Sequence, residues 1–225
     1  VVRQLQALFD LEKGPQLSPE DGAYCRGKAR LPLDPFPKAL SATAQHADHL
    51  SPPRVLLGGR TVKVADGSAL TMADTPKNRA TYPPNRCGDT PVFPQLRLGV
   101  LFSWLSGAII AAAQGALNVS ELALLHSLAA HLAPGDILLG DRGFGSYPVI
   151  AWLKSLGVDF VGRTTRRVDG RRRRQRLGRN DWLLRWTPTP SCASRWLTAL
   201  ERQALPAELL VRALRGSCYQ KGFRV

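Results

Sequence analysis

The spacing of hydrophobic residues changes several times along this chain, and each change predicts a different element. Val62 and Val64 alternate with Lys63 and Ala65 and run into Asp66-Gly67, the period-two pattern of a strand. Gln95 to Trp104 and Ala108 to Ala113 are two apolar runs separated by Leu105-Ser106-Gly107, which predicts an antiparallel hairpin. At Ser120 the period becomes helical: Leu122, Leu125, Leu128, Ala129 and Leu132 fall on one face, and Pro134-Gly135 is the stop. Asp136 to Gly140 reads as a short buried strand ending at Asp141, Ser146 to Ser155 as a helix, and Val158 to Val161 as a further buried strand. The order is strand, strand, strand, helix, strand, helix, strand.

Three antiparallel strands followed by strands reached through helices form a mixed α/β sheet with parallel crossovers, the order of an RNase H-like core. In such a sheet the first strand lies beside the fourth, so Asp66 and Asp141 would face each other although 75 positions separate them. Before this core, residues 1–53 read as a helical region. Val2, Leu5, Leu8 and Phe9 share a face, Ser18-Pro19-Glu20 fits an N-cap, and Leu40 to Leu50 suits a short helix. Pro32, Pro35 and Pro37 argue against one long helix there. Asp74 to Pro94 is polar and rich in proline, the signature of a long loop. Beyond Val161 the chain turns densely basic, and Trp182 to Trp186 and Leu209 to Leu214 predict further strands.

Charge narrows the function. Lys and Arg number 31 against 17 Asp and Glu, a net +14, and only seven of the 31 are lysines. Arginine pairs bidentately with phosphate, which makes nucleic acid the first partner to consider; a ribosome-associated protein or a basic proteome are the bland alternatives. Cys25, Cys87, Cys192 and Cys218 form no Cys-x-x-Cys pair, which argues against a zinc knuckle or a dense disulfide framework and fits a reducing, intracellular setting. No run approaches the ~18 apolar residues of a membrane helix. The chain opens on Val1-Val2-Arg3-Gln4, without a signal-peptide pattern or an initiator methionine, and so reads as a piece of a longer frame.

Asp66 and Asp141 each follow an apolar run and precede or approach glycine. An aspartate before glycine is by itself an ordinary turn signal. Two of them at strand ends of one predicted core, in a basic chain, point instead to carboxylate ligands for a divalent metal acting on phosphates. Arg142 either contacts phosphate or makes a surface salt bridge. Arg163, Arg166, Arg167, Arg171, Arg172, Arg173 and Arg174 either track a nucleic-acid backbone or form a solvated loop. Asp74 is better read as a turn or cap than as a ligand, and His46, His49, His126 and His131 lack a zinc-type spacing.

Asp66-Gly67-Ser68 with Met72 to Asn78, then Phe93 to Leu98, then Gly135 to Phe144, and finally Arg176 to Asp181 and Val211 to Leu214 with Gln220 to Arg224 resemble DDE transposases of the insertion-sequence 4 class. The resemblance implies an RNase H-like catalytic domain over residues 54–225 that cuts and joins DNA at the ends of a mobile element using Mg²⁺, with Mn²⁺ as a substitute. Asp66 and Asp141 would be its first two catalytic acids. It further implies double-stranded DNA at the element ends as partner, a homodimer in a synaptic complex as an option, and a bacterial cytoplasmic, nucleoid-associated setting. The family's third acid is the glutamate of a Tyr-x2-Arg-x3-Glu-x6-Lys signature, which this sequence does not contain. The expectation is a domain incomplete at its C-terminus, with a basic insertion starting near residue 163. Two alternatives stand beside a transposase: a truncated remnant that binds DNA without cutting it, and an RNase H-like nuclease that never joins strands.

Overall fold

The computed structural model describes residues 22–52, 57–84, 93–163, 173–188 and 194–216, with the backbone alone at 219–220 and 223–224. The residue 2 to 9 helical face, the Ser18 cap, Cys87, Cys192, Cys218, Arg166, Arg167, Arg171 and Arg172 lie outside these residues, as does the side chain of Arg173. The chain divides into two compact units, Val1–Ala39 and Leu40–Val225. In the first, α1 (Gly22–Arg30) has no buried residue and ends before Pro32. The next helix, α2 (Pro35–Leu50), carries Pro35 and Pro37 in its opening turn, where no intrahelical N–H is required of them. Among the described residues no helix is long and apolar enough to cross a membrane.

The larger unit is built on a five-stranded sheet of β1 (Val62–Thr71), β2 (Gln95–Ser103), β3 (Ile109–Ala116), β4 (Ile137–Gly140) and β5 (Asp159–Gly162). Its order is β3-β2-β1-β4-β5. The β1–β2 and β2–β3 pairs are antiparallel and the β1–β4 and β4–β5 pairs parallel. This is the mixed sheet that the element order predicts, with the first strand beside the fourth. Helices α4 (Glu121–Ser127) and α5 (Tyr147–Ser155) make the crossovers, and Ser120 caps α4 by accepting the Ala123 N–H at 3.1 Å. Leu101, Leu138, Leu153 and Val149 are fully enclosed, each contributing about 1.5–3 kcal/mol by leaving water.

Gly67 and Gly99 are register partners on β1 and β2, and α4 uses the space that their missing side chains leave. A Cβ on Gly67 would lie 3.0 Å from the Glu121 side chain, and one on Gly99 would lie 2.8 Å from Leu124 Cβ. Glu121 and Leu124 sit three apart on one helical face, so the first turns of α4 press directly on the backbone next to Asp66. The Asp66-Gly67-Ser68 triplet is therefore not the end of a strand, as its turn-like sequence suggests. Pairing with β2 carries β1 on to Thr71, because the glycine is matched across the strands and filled from above.

Two polar networks tie the unit together. At the lower edge of the sheet Lys63 Nζ donates to Asp136 Oδ2 at 2.6 Å and to the His131 carbonyl at 2.7 Å. Asp136 Oδ2 also accepts the Ala133 N–H at 2.7 Å. Beside it Arg60 donates to the carbonyls of Gly135 and Asp136 and to Asp159, stitching the approach to β1 to the starts of β4 and β5. At the β2–β3 turn Asp48 of α2 accepts from Ser103 Oγ at 2.6 Å and Ser106 Oγ at 2.5 Å.

A second sheet, β6 (Arg173–Gly178), β7 (Asp181–Trp186) and β8 (Leu209–Leu214), follows the core. It rests on α5 through Trp186, Leu209 and Val211, which pack around Tyr147 and Ala151. The segment between β7 and β8 contains α6 (Ala199–Ala204), opened by a capping box between Thr198 and Glu201. Glu201 also takes a 2.8 Å hydrogen bond with His126 of α4, whose ring lies 5.2 Å from Trp152 and 5.8 Å from Trp196. The His126 bond, with those of Thr198, lowers the Glu201 carboxyl to about 2. An unfolded glutamate titrates near ~4.3, so the stability from Glu201 is complete above that pH and is lost as pH falls toward the folded value. Glu201→Gln is expected to flatten the acid limb of a stability-versus-pH curve between those values; an unchanged limb measured by urea unfolding would refute this.

Candidate functional site

Ala65 is 4 % exposed and belongs to the core. Pleat alternation therefore turns Asp66 toward the opposite, solvent-facing side of β1. Gly140, the last residue of β4, is the register partner of Ala65, so Asp141 follows in step with Asp66. Neighbouring strands lie about 4.8 Å apart, and each aspartate directly follows a member of the Ala65–Gly140 register pair. Both residues are exposed.

Each carboxylate is oriented by the glycine that follows it. The Gly67 N–H donates to Asp66 Oδ1 at 2.8 Å, and the Gly143 N–H donates to Asp141 Oδ1 at 2.8 Å. A Cβ on Gly143 would lie 3.1 Å from that same Asp141 oxygen, so glycine there lets the carboxylate fold back onto its own turn. The second oxygen of each aspartate has no hydrogen-bond or ion-pair partner among the described residues. Two exposed carboxylates, each with one oxygen uncommitted among the described residues, are a hard donor set suited to Mg²⁺, which needs only one or two protein carboxylates beside phosphate oxygens and water. Among the described residues no cluster of three or more His, Cys, Asp or Glu side chains is in reach of one metal ion.

The turn after Asp141 is clamped against the end of β5. The Gly145 N–H donates to the Arg142 carbonyl at 3.4 Å, and a Cβ on Gly145 would overlap the Arg163 carbonyl oxygen. Arg142 and Arg163 thus leave the sheet beside the second aspartate, both exposed, and neither forms a salt bridge among the described residues.

A family model of the transposase DDE domain matches residues 57–216, a span that contains both aspartates and the whole mixed sheet. The chain belongs to the DDE transposase family. It is 24% identical over 176 residues to the transposase InsG for insertion sequence element IS4 of Escherichia coli (strain K12), an alignment that covers 77% of this chain and 40% of that protein. The chain thus spans two fifths of the length of this curated relative. Among solved structures it is similar to the piggyBac transposase in a cryo-EM synaptic complex with hairpin DNA, at 13% identity and a TM-score of 0.37, covering 57% of this chain and 31% of that one.

Within this transposase domain several of the other described acidic residues are engaged elsewhere. Asp74 is held by Arg79 through both carboxylate oxygens, and the Arg79 hydrogen bond keeps its carboxyl below the usual range. Asp74 is the turn residue expected, but the cap of α3 (Pro76–Thr81) is Thr75, which accepts the Asn78 N–H at 3.2 Å. Glu208 pairs with Arg185, and Glu201 with His126. Of the arginines in the small sheet, Arg212 is bound to Asp181 at 2.6 Å, whereas Arg174, Arg176 and Arg179 are exposed and have no carboxylate partner among the described residues. Sequence reasoning missed the Thr198–Glu201 box, although Thr-x-x-Glu before a helix is its local signature. It also missed Lys63–Asp136, for which no local signal exists.

Proposed function

We propose that this transposase domain holds a divalent cation, Mg²⁺ or Mn²⁺, between Asp66 and Asp141 and uses it in cleavage and transfer of DNA strands. DDE transposases use divalent metal ions, and the observation that carries the reading is the placement of two exposed aspartates immediately after the Ala65–Gly140 register pair, Asp66 within β1 and Asp141 just past the end of β4. When bound, the cation supplies activation of a water or 3′-hydroxyl and offsets charge on the leaving oxygen. The chain's own residues do the rest. The amides of Gly67 and Gly143 fix one oxygen of each aspartate and leave the other uncommitted. Arg142 and Arg163 present positive charge beside Asp141 for a backbone phosphate. Arg174, together with Arg166, Arg167 and Arg171 to Arg173 of the same basic run, holds the duplex without reading its sequence. The ends of the element are the substrate in this reading, and a homodimer is the assembly that would bring two ends together.

A second reading, DNA binding without cleavage, is favoured by the lack of a third metal-ligating side chain near the pair among the described residues. One experiment separates the two: end-labelled DNA carrying the element's inverted repeats is incubated with the chain and Mg²⁺ or Mn²⁺, beside Asp141→Ala. Nicking that vanishes in the variant supports the catalytic reading. Equal and absent nicking with salt-sensitive DNA retention would establish binding alone.

A further inference from the structure

Gly140, which carries the Asp141 peptide, is packed from behind by two aromatic rings. A Cβ on Gly140 would lie 2.9 Å from Phe160 Cε2 and 3.0 Å from Phe144 Cβ. Across the strand pair, Gly162 is the register partner of Gly140. A Cβ on Gly162 would overlap the Phe160 ring and lie 2.6 Å from the Gly140 carbonyl oxygen. The ring of Phe160 therefore lies along the sheet over two glycines, in space that no other residue type leaves open. Phe144, 3% exposed, closes the far side. Phe144 belongs to the turn that starts at Asp141, and its N–H donates to the Asp141 carbonyl at 3.3 Å. Gly140 is thus flanked by the Phe160 ring and by Phe144 of the turn that follows the aspartate, and both phenylalanines belong to the same packed core.

We infer that Phe160 is a positioning residue for Asp141. Its ring, seated over Gly140 and Gly162 with Phe144 also against Gly140, sets the height and tilt of the peptide from which the second carboxylate projects. Asp66 is positioned independently, by Glu121 and Leu124 over Gly67 and Gly99. The two halves of the site thus have separate supports on the buried side of the sheet, and each can be disturbed alone. The bearing on catalysis rests on the reading of Asp141 as a metal ligand, whereas the geometry of its support does not.

Two amides report the two carboxylates separately: Gly143 for Asp141 and Gly67 for Asp66. In Gly140→Ala the Gly143 amide is expected to exchange with solvent about tenfold faster, the loss of one charge-assisted hydrogen bond, while the Gly67 amide is unchanged. Adding Phe160→Leu withdraws the ring from Gly140, leaves only the 3.0 and 3.3 Å contacts with Phe144, lets the alanine methyl fill part of the space the ring held, and brings the Gly143 rate back toward the parent's. Gly162→Ala is not restored by Phe160→Leu, because the 2.6 Å approach to the Gly140 carbonyl remains. Should Gly140→Ala fail to fold, Phe160→Leu alone decides, with a faster Gly143 amide expected. Gly143 and Gly67 moving together, equal rescue of both glycine variants, or an unchanged Gly143 amide in Phe160→Leu would overturn the inference. A Mn²⁺ titration of the same samples tests the metal reading separately: no broadening at Gly67 and Gly143 in the parent refutes metal binding and leaves the exchange result to decide the role of Phe160.

Discussion

Asp66→Asn and Asp141→Asn are each expected to lower Mn²⁺ affinity by about a hundredfold or more, since even removing an outer hydrogen-bonding partner of a metal ligand costs about 10–100-fold. The two losses should be alike, because each aspartate directly follows a member of the Ala65–Gly140 register pair and each is exposed. Asparagine keeps an oxygen able to accept the Gly67 or Gly143 N–H, so the local hydrogen bond survives and only the charge is lost. Titration of Mn²⁺ by electron paramagnetic resonance reads the affinity, and thermal unfolding on the same samples confirms an intact fold. A variant that retains the parent affinity would remove that aspartate from the site.

Lys63→Met is expected to produce the largest loss of stability of any single change considered. The Lys63–Asp136 pair is 13%/8% exposed, and breaking a buried pair by removing one partner costs about 3–5 kcal/mol because the other charge is left in a poor environment. In a domain of this size that corresponds to a fall in melting temperature on the order of 10 °C. The position matters for function as well as for stability. Lys63 stands three residues before Asp66 on β1, and Asp136 immediately precedes β4, so the pair pins the register that places Asp66 and Asp141 directly after the matched Ala65–Gly140 pair. Lys63→Met with Asp136→Leu should recover part of the loss, since replacing both partners removes the stranded charge. A double variant less stable than Lys63→Met would show that Asp136 contributes mainly through the Ala133 N–H.

Much of the sheet was legible because each of its elements has a period of its own. Val62 and Val64, the apolar runs on either side of Gly107, and the helical series from Leu122 identify the elements, and right-handed crossover connections restrict their assembly. The limits of that reading are equally specific. Asp66-Gly67 has the composition of a turn, yet β1 continues through it, because a matching Gly99 and the side chains of Glu121 and Leu124 complete the packing from elsewhere in the chain. The stretch after Asp74 reads as loop because of its prolines, but Thr75 and Pro76 are a cap and a first helical position, so a short helix forms there.

For the site, the sequence by itself singled out the proposed pair: two aspartates after apolar runs, each followed within two positions by glycine, in a chain rich in arginine. Local chemistry sufficed for that, because a carboxylate that accepts an N–H one or two residues ahead needs only its own turn. Tertiary structure alone decided that the two aspartates follow a matched pair on adjacent strands. Their relation depends on the β1–β4 register, which is fixed by Lys63 reaching Asp136 and Arg60 reaching Asp159. It also decided the support behind each aspartate, since Phe160 meets Gly140 and Glu121 meets Gly67 only when the strands are in place. Contacts between residues far apart in sequence leave no periodic trace, so the pairing of charges and the filling of glycine gaps become visible only in the folded chain.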